Sequence, residues 1–121
     1  LFQIDEKQRA YNEMFKALDL YSDIYGQWRT YFELWRFNFL DNNLDEAKKY
    51  SKKLINLQPE YPQTYIASLA LEENKKKGIP LKRKLMELQP NFTPAMIKNF
   101  HTWIRDDQAA KIIDVLKFHL G

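Results

Sequence analysis

Apolar residues recur every three or four positions through most of this chain, and that period predicts helices. The most apolar stretch is residues 27–40, which carries a wide stripe of large side chains on one face: Trp28, Tyr31, Phe32, Trp35 and Phe39. A helix that is apolar around so much of its circumference must be buried on more than one side. We therefore expect this helix to lie between two neighbours in a stack.

The same period, together with helix caps and breaks, predicts an all-α fold with no strands. A proline after residue 58, the sequence 78–80 (Gly-Ile-Pro) and a proline after residue 89 are expected to end helices. The second helix could begin near either Asp23 or Gln27. Short connections favour an antiparallel stack of helical hairpins, with about seven helices at residues 5–20, 27–40, 44–57, 62–76, 81–88, 93–104 and 106–120.

One phrase of the sequence occurs twice. Residues 53–61, KLINLQPEY, return almost unchanged as residues 84–92, KLMELQPNF, with the two prolines 31 positions apart. A weaker copy without the proline lies at residues 16–21. Self-similarity at such a period indicates a repeat protein.

Residues 31–59 resemble a tetratricopeptide (TPR) repeat, through Tyr31-x-x-Leu34, the turn-like run 42–47 that ends in Ala47, and the closing Pro59. The bulk of Trp35, at a position where the family usually has Gly or Ala, implies a splayed helix pair, and Asn38 stands where the family usually has Tyr. The resemblance implies one helical-repeat domain, 1–121. Its parts would be a truncated first repeat, a fuller repeat 25–61, a shortened repeat 62–92 and capping helices 93–121.

The end of the chain has a second resemblance. Residues 88–93 and 112–117 are similar to the ending of helical-repeat regions in bacterial cyclases and one-component transcriptional regulators. That similarity implies a module of a larger signalling or regulatory protein. The compartment stays open, with the cytoplasm favoured over the periplasm. The opening residue, Leu1, leads directly into polar helical sequence without an initiator Met or a signal peptide, so we expect an excised or processed piece of a longer chain.

Composition narrows the chemistry. The absence of cysteine excludes disulfides, zinc–thiolate sites and thiol catalysis. A formal net charge of +3 is weaker than that of a committed nucleic-acid binder, and no apolar run approaches the roughly 20 residues that span a bilayer.

No catalytic residue, metal site or cofactor is predicted. His101 and His119 fall on different predicted helices without ligand partners at fixed spacing, whereas a metal site needs three or four converging ligands. Asp106 and Asp107 are adjacent and diverge on a helix, so a capping role explains them better than paired catalytic carboxylates. We therefore do not expect an enzyme.

The resemblance implies that first helices of each pair line a concave groove that binds a protein or peptide. Arg29 and Arg36, seven residues apart, could pair with an acidic side chain or a C-terminal carboxylate. The alternative is that the aromatic residues are core and both arginines are ordinary surface. The predicted partner-binding residues are Arg29, Phe32, Glu33, Arg36, Leu40, Gln63, Ile66, Ala70 and Glu73.

Two other surfaces stay open as alternatives. Met14, Phe15 and Leu18 on the truncated first repeat could form a homodimer. A basic cluster could contact nucleic acid or an anionic membrane, or could be a solvated helix end whose cations stabilise the C-terminus of the helix before residue 78. This cluster comprises Lys75, Lys76, Lys77, Lys82, Arg83 and Lys84.

Overall fold

The computed structural model describes residues 6–20, 23–97 and 106–120. These residues contain six α-helices, one 3₁₀ turn at Pro94–Met96 and no strand, which confirms the all-α fold. The predicted helix 93–104 lies partly outside the described residues. The helices are α1 (Glu6–Leu20), α2 (Ile24–Leu40), α3 (Leu44–Leu57), α4 (Pro62–Leu69), α5 (Lys75–Leu88) and α6 (Asp106–Leu120).

The chain divides into two compact units, the first ending at Gln58 and the second beginning at Pro59. In the first unit α2 is central, since both α1 and α3 pack against it. Its aromatic rings form a continuous series along the helix, with centroids 5.1 to 5.4 Å apart. The members of the series are Trp28, Phe32, Trp35 and Phe39. The expectation that this helix is buried on more than one side is confirmed.

Both ends of α2 are closed by local hydrogen bonds. At its start, the carboxylate of Asp23 accepts a bond of 2.9 Å from Gly26 N, so the helix begins at Ile24 and not at Gln27. At its end, Asn42 takes a left-handed conformation with φ of 60°, and Asn43 N donates to Asn38 O at 2.9 Å. This is the Schellman arrangement, which reverses the chain within three residues and brings α3 back along α2.

A hydrogen bond between a half-buried tyrosine and a buried asparagine joins α1 to α2. Tyr11 Oη donates to Asn38 Oδ1 at 2.9 Å, and Asn38 Nδ2 donates to Leu34 O at 2.7 Å. Asn38 is buried, and these two bonds satisfy both ends of its amide, so it can lie in the core without an unmet hydrogen-bonding group.

The repeated phrase produces the same helix ending twice. Gln58 follows α3 with φ of −139° and ψ of 74°, and Gln89 follows α5 with φ of −144° and ψ of 80°. Each donates its N–H to the leucine four residues earlier, Leu54 or Leu85, and both leucines are fully buried. The sequence repeat is therefore also a repeat of local structure.

The second unit corrects two predicted boundaries. The sequence 78–80 does not stop a helix but lies inside α5, and α4 ends at Leu69 instead of continuing to about residue 76. The reason is a competing set of side-chain bonds in the connection. Asn74 Oδ1 accepts from the N–H groups of Lys76 and Lys77, and Glu72 Oε1 accepts from Asn74 N, so a new helix begins where a long one was expected.

The repeat period explains why Gly78 fits inside a helix. A shift of 31 positions places Gly78 on Ala47 and Asn74 on Asn43, the N-cap residue of α3. Ala47 is fully buried in the first unit, and Gly78 is buried in the second. A small residue therefore stands at the same helix position in both units.

Candidate functional site

An opening in the first unit lies between α1 and α2, and we call it the α1–α2 groove. Its volume is about 510 Å³, which falls within the range of pockets that bind ligands or peptide side chains. The residues that line it are Glu13, Met14, Ala17, Asp23, Tyr25, Gly26, Arg29, Thr30 and Glu33.

Small side chains give the groove its depth. Ala17 on α1 and Gly26 on α2 leave space between the two helices. The polar groups beside them are already satisfied, because Thr30 Oγ1 donates to Gly26 O at 2.9 Å and Asp23 accepts from Gly26 N. The apolar part of the lining is then supplied by Met14 and Ala17, beside the charged side chains of the groove.

Arg29 is the available cation of the groove. Its side chain is exposed, and it makes no ion pair with a residue that the structure describes. The acidic side chains nearby have other partners: Glu33 lies 2.7 Å from Arg36, and Glu13 lies 3.7 Å from Lys16. The Arg29 guanidinium, which lies in the same groove as the apolar side chains of Met14 and Ala17, can pair with a carboxylate from a ligand.

Large apolar side chains are exposed on α1 and on the first turn of α2, and one of them, Tyr25, lines the groove. Leu20 is 78% exposed, Ile24 and Tyr25 are each 55% exposed, and Phe15 is 48% exposed. They cluster in sequence at the end of α1 and the start of α2. Exposed apolar side chains that are grouped and rimmed by polar residues are typical of interaction surfaces.

The structure separates the predicted partner-binding residues into several environments. Arg29 and Glu33 line the α1–α2 groove together. Phe32, Ile66 and Ala70 are buried, at 7%, 4% and 5% exposure, so their side chains belong to the core and not to an accessible surface. The remaining residues, which do not line the groove, range from half-buried (Arg36, Leu40 and Gln63) to exposed (Glu73).

Arg36 differs from Arg29 although the two share a helix face. Its side chain is only 15% exposed, pairs with Glu33 and lies over the ring of Phe37 at 5.0 Å. Arg36 therefore stabilises α2 itself, and the picture of two equivalent surface arginines is corrected to one structural and one available arginine.

The basic cluster lies on a single helix. Lys75, Lys76 and Lys77 occupy the first turn of α5, so they are at the N-terminus of a helix and not at the C-terminus of the preceding one. The helix dipole disfavours cations there, which overturns the explanation that these lysines stabilise a helix end. Lys84 is paired with Glu87 at 3.8 Å.

The described residues contain no group of three side chains suited to hold a metal ion. His119 is buried, and its Nε2 lies 2.6 Å from Glu72 O; His101 and the side chains of Asp106 and Asp107 lie outside the described residues. No helix in the described ranges is long and apolar enough to cross a membrane.

Sequence reasoning missed the α1 side of the groove, which Glu13, Met14 and Ala17 supply. The available signal was the pair of small residues Ala17 and Gly26 beside an otherwise apolar helix. Their proximity depends on how α1 packs on α2, which a one-dimensional pattern does not give. Comparison with protein-family models, with curated proteins and with solved structures finds no match to this chain.

Proposed function

We propose that this chain is a non-catalytic protein-interaction module and that the α1–α2 groove binds a short peptide segment bearing an apolar side chain beside a carboxylate. The observation that carries the proposal is an open groove that combines the apolar side chains of Met14 and Ala17 with one cation, Arg29, that makes no ion pair with a described residue. By the resemblance of its last residues, the module serves a larger signalling or regulatory protein.

The chemistry of the groove supports a peptide ligand. Met14 and Ala17 offer apolar contact, and Tyr25 stands exposed at the edge. Tyrosine and arginine are the side chains that most often dominate binding energy at protein interfaces, because they combine apolar area with hydrogen-bonding groups. Tyr25 and Arg29 are four residues apart on α2, so both can contact one ligand.

A rigid scaffold supports recognition on a preformed surface. We propose that α2 and α3 form a TPR-like pair, held by the three-residue reversal at Asp41–Asn43 and by the fully buried Ala47. Trp35, the departure from the family pattern, is buried in the core of this pair. A prepacked helix pair loses little conformational entropy on binding, which favours affinity.

The test is selection of random short peptides on the immobilised full chain, followed by affinity measurement with the selected peptides. We expect enrichment of Asp, Glu or a free C-terminal carboxylate next to an apolar residue. Arg29→Gln should weaken binding about 10- to 100-fold, the effect of losing one charge-assisted hydrogen bond.

Arg9→Gln is the matched control, since Arg9 is an exposed arginine of α1 outside the groove, and it should bind like the parent chain. Equal affinity of the Arg29→Gln and parent chains, or selection of peptides without any carboxylate, would overturn the proposal.

A second candidate function is self-association through α1, which the exposure of Phe15 and Leu20 favours. Sedimentation of the full chain at several concentrations tests it. A mass that rises with concentration and returns to that of the monomer in Phe15→Ser supports a homodimer, while a monomer at every concentration contradicts it.

A further inference from the structure

The second unit carries a basic surface with apolar side chains at its centre. Residues at positions i, i+1, i+4, i+7 and i+8 of a helix share one face. On α5 these positions form what we call the α5 basic face: Lys75, Lys76, Ile79, Lys82 and Arg83. All of them are exposed except Lys82, which is half-buried.

The lysines of the first turn oppose the helix dipole instead of complementing it. Lys75, Lys76 and Lys77 follow the N-cap Asn74, whose side chain already accepts two backbone N–H groups. Cations at this end of a helix cost stability. Residues that are unfavourable for local structure and gain no compensating contact are concentrated at functional positions. The three lysines of this turn therefore indicate an external anionic ligand.

Apolar side chains project among these cations. Ile79 is 43% exposed on α5, and Phe118 is 47% exposed on α6. Lys75 Nζ lies 5.9 Å from the ring centroid of Phe118, which places a cation against this ring. A cleft of about 430 Å³ lies beside them, and its lining includes Lys75, Ile79 and His119.

We propose that the α5 basic face, with Phe118, binds the surface of an anionic lipid bilayer. Lysines and arginines contact the headgroups, while Ile79 and Phe118 enter the boundary between headgroups and acyl chains. A bilayer is favoured over a nucleic acid because it can bind both the cations and the two apolar side chains. A phosphate backbone would leave the apolar side chains in water. This inference is independent of the α1–α2 groove, since it uses residues of the second unit alone.

Two members of the original basic cluster are excluded from this face. Lys77 and Lys84 lie on another side of α5, and Lys84 is paired with Glu87. The cluster that the sequence shows as six neighbouring cations therefore contributes four to the proposed membrane contact: Lys75, Lys76, Lys82 and Arg83.

The experiment is co-sedimentation of the full chain with vesicles of phosphatidylcholine alone and of phosphatidylcholine mixed equally with phosphatidylserine, at about 0.15 M salt. We expect binding to the mixed vesicles only. The triple variant Lys75→Gln, Lys76→Gln and Lys82→Gln should reduce it about 100-fold, since each basic residue near an anionic surface contributes about fivefold.

The matched control is Lys48→Gln with Lys49→Gln and Lys52→Gln, three exposed lysines of α3. Both triple variants lower the formal net charge from +3 to zero, so only the location of the lost charge differs, and the control should keep most of the binding. If the two variants lose binding equally, the interaction is non-specific attraction and the proposed face is wrong.

The contribution of Ile79 and Phe118 to binding distinguishes a bilayer from other polyanions. Ile79→Ser with Phe118→Ser should lower vesicle binding at least 10-fold, because burial of apolar side chains in the interface is lost. Each side chain is nearly half exposed, so we expect the double variant to fold, and circular dichroism checks it. Binding of the parent chain to duplex DNA but not to mixed vesicles, or vesicle binding that this double variant leaves unchanged, would overturn the assignment to a membrane.

Discussion

The imidazole of His119 fills the space that a side chain at Gly78 would need. A methyl group at position 78 would lie 2.5 Å from Nδ1 and 2.6 Å from Cε1 of His119, closer than such atoms approach in proteins, and 3.4 Å from Leu69 Cδ2. The ring is buried, and its Nε2 is hydrogen-bonded to Glu72 O. Residues from α4, α5 and α6 therefore meet at the one position of α5 that has no side chain.

This relationship predicts that Gly78→Ala destabilises the protein although alanine is the better helix former. The gain in helix propensity from glycine to alanine is about 1 kcal/mol. The new methyl group must displace a buried, hydrogen-bonded ring, and such overpacking costs about 1–3 kcal/mol. Chemical denaturation should show a net loss of unfolding free energy.

The control is the same change in a His119→Ala background, where the space is open and Gly78→Ala should become neutral or stabilising. A double-mutant cycle reports this coupling directly. A Gly78→Ala chain that is more stable than the parent would contradict the close packing of these two residues.

We expect replacement of Pro80 by alanine to stabilise the protein. It lies inside α5 and is exposed, and it lacks the N–H that would bond to the carbonyl of Lys76. Proline within a helix removes one hydrogen bond and crowds the preceding turn, so Pro80→Ala should raise the unfolding free energy by about 1–2 kcal/mol after allowing for the greater freedom of the unfolded chain. Thermal unfolding measures the change.

Pro62→Ala is the comparison, because Pro62 lies in the first turn of α4, where proline is well suited. That variant should be neutral or slightly destabilised. The argument fails if both proline variants shift the melting temperature in the same direction by the same amount.

The two arginines of α2 predict opposite outcomes for one chemical change. Arg36→Glu should lower the unfolding free energy by about 1–3 kcal/mol, because it replaces a half-buried ion pair with two carboxylates and removes packing on Phe37. Arg29→Glu changes an exposed side chain and should stay within about 0.5 kcal/mol of the parent. Urea denaturation of both variants checks this, and equal losses would contradict the distinction drawn between them.

Because the Tyr50 hydroxyl is buried, we expect the protein to lose stability at high pH. Burial raises the pKa of its hydroxyl above the ordinary tyrosine value, with smaller contributions from Glu46, Tyr11 and Tyr31. The unfolded chain then releases this proton at a pH of about 10, while the folded chain still holds it. Stability contributed by the protonated hydroxyl is complete below that pH and is lost as the pH rises through the folded pKa.

Tyr50→Phe should therefore flatten the decline of unfolding free energy above pH 10 or so, measured by urea denaturation across the alkaline range. The matched variant Tyr25→Phe removes an exposed hydroxyl and should show the same alkaline decline of unfolding free energy as the parent chain. An unchanged alkaline slope in Tyr50→Phe would show that burial of this hydroxyl does not contribute.

The repeated segment, residues 53–61 and 84–92, shows how much of the structure local sequence can predict. Leu54 and Leu85 occupy the same position of the repeated segment, and both are fully buried. The same 31-residue shift, applied to Ala47, would have identified Gly78 as a helix position. The error came from weighing glycine and proline as local breakers, when the capping bonds of Asn74 and the tight packing around His119 favour a helix there.

The sequence by itself determined the all-α class, most helix bounds and the central place of α2. These features depend on hydrogen bonds and caps within a few residues and on one periodic apolar face, which a linear pattern contains. Only the tertiary structure decided that Arg29 is available while Arg36 is not, that α1 and α2 leave an open groove, and that His119 occupies the space above Gly78. Those facts depend on contacts between side chains that are distant in the chain, and such contacts follow from packing in three dimensions.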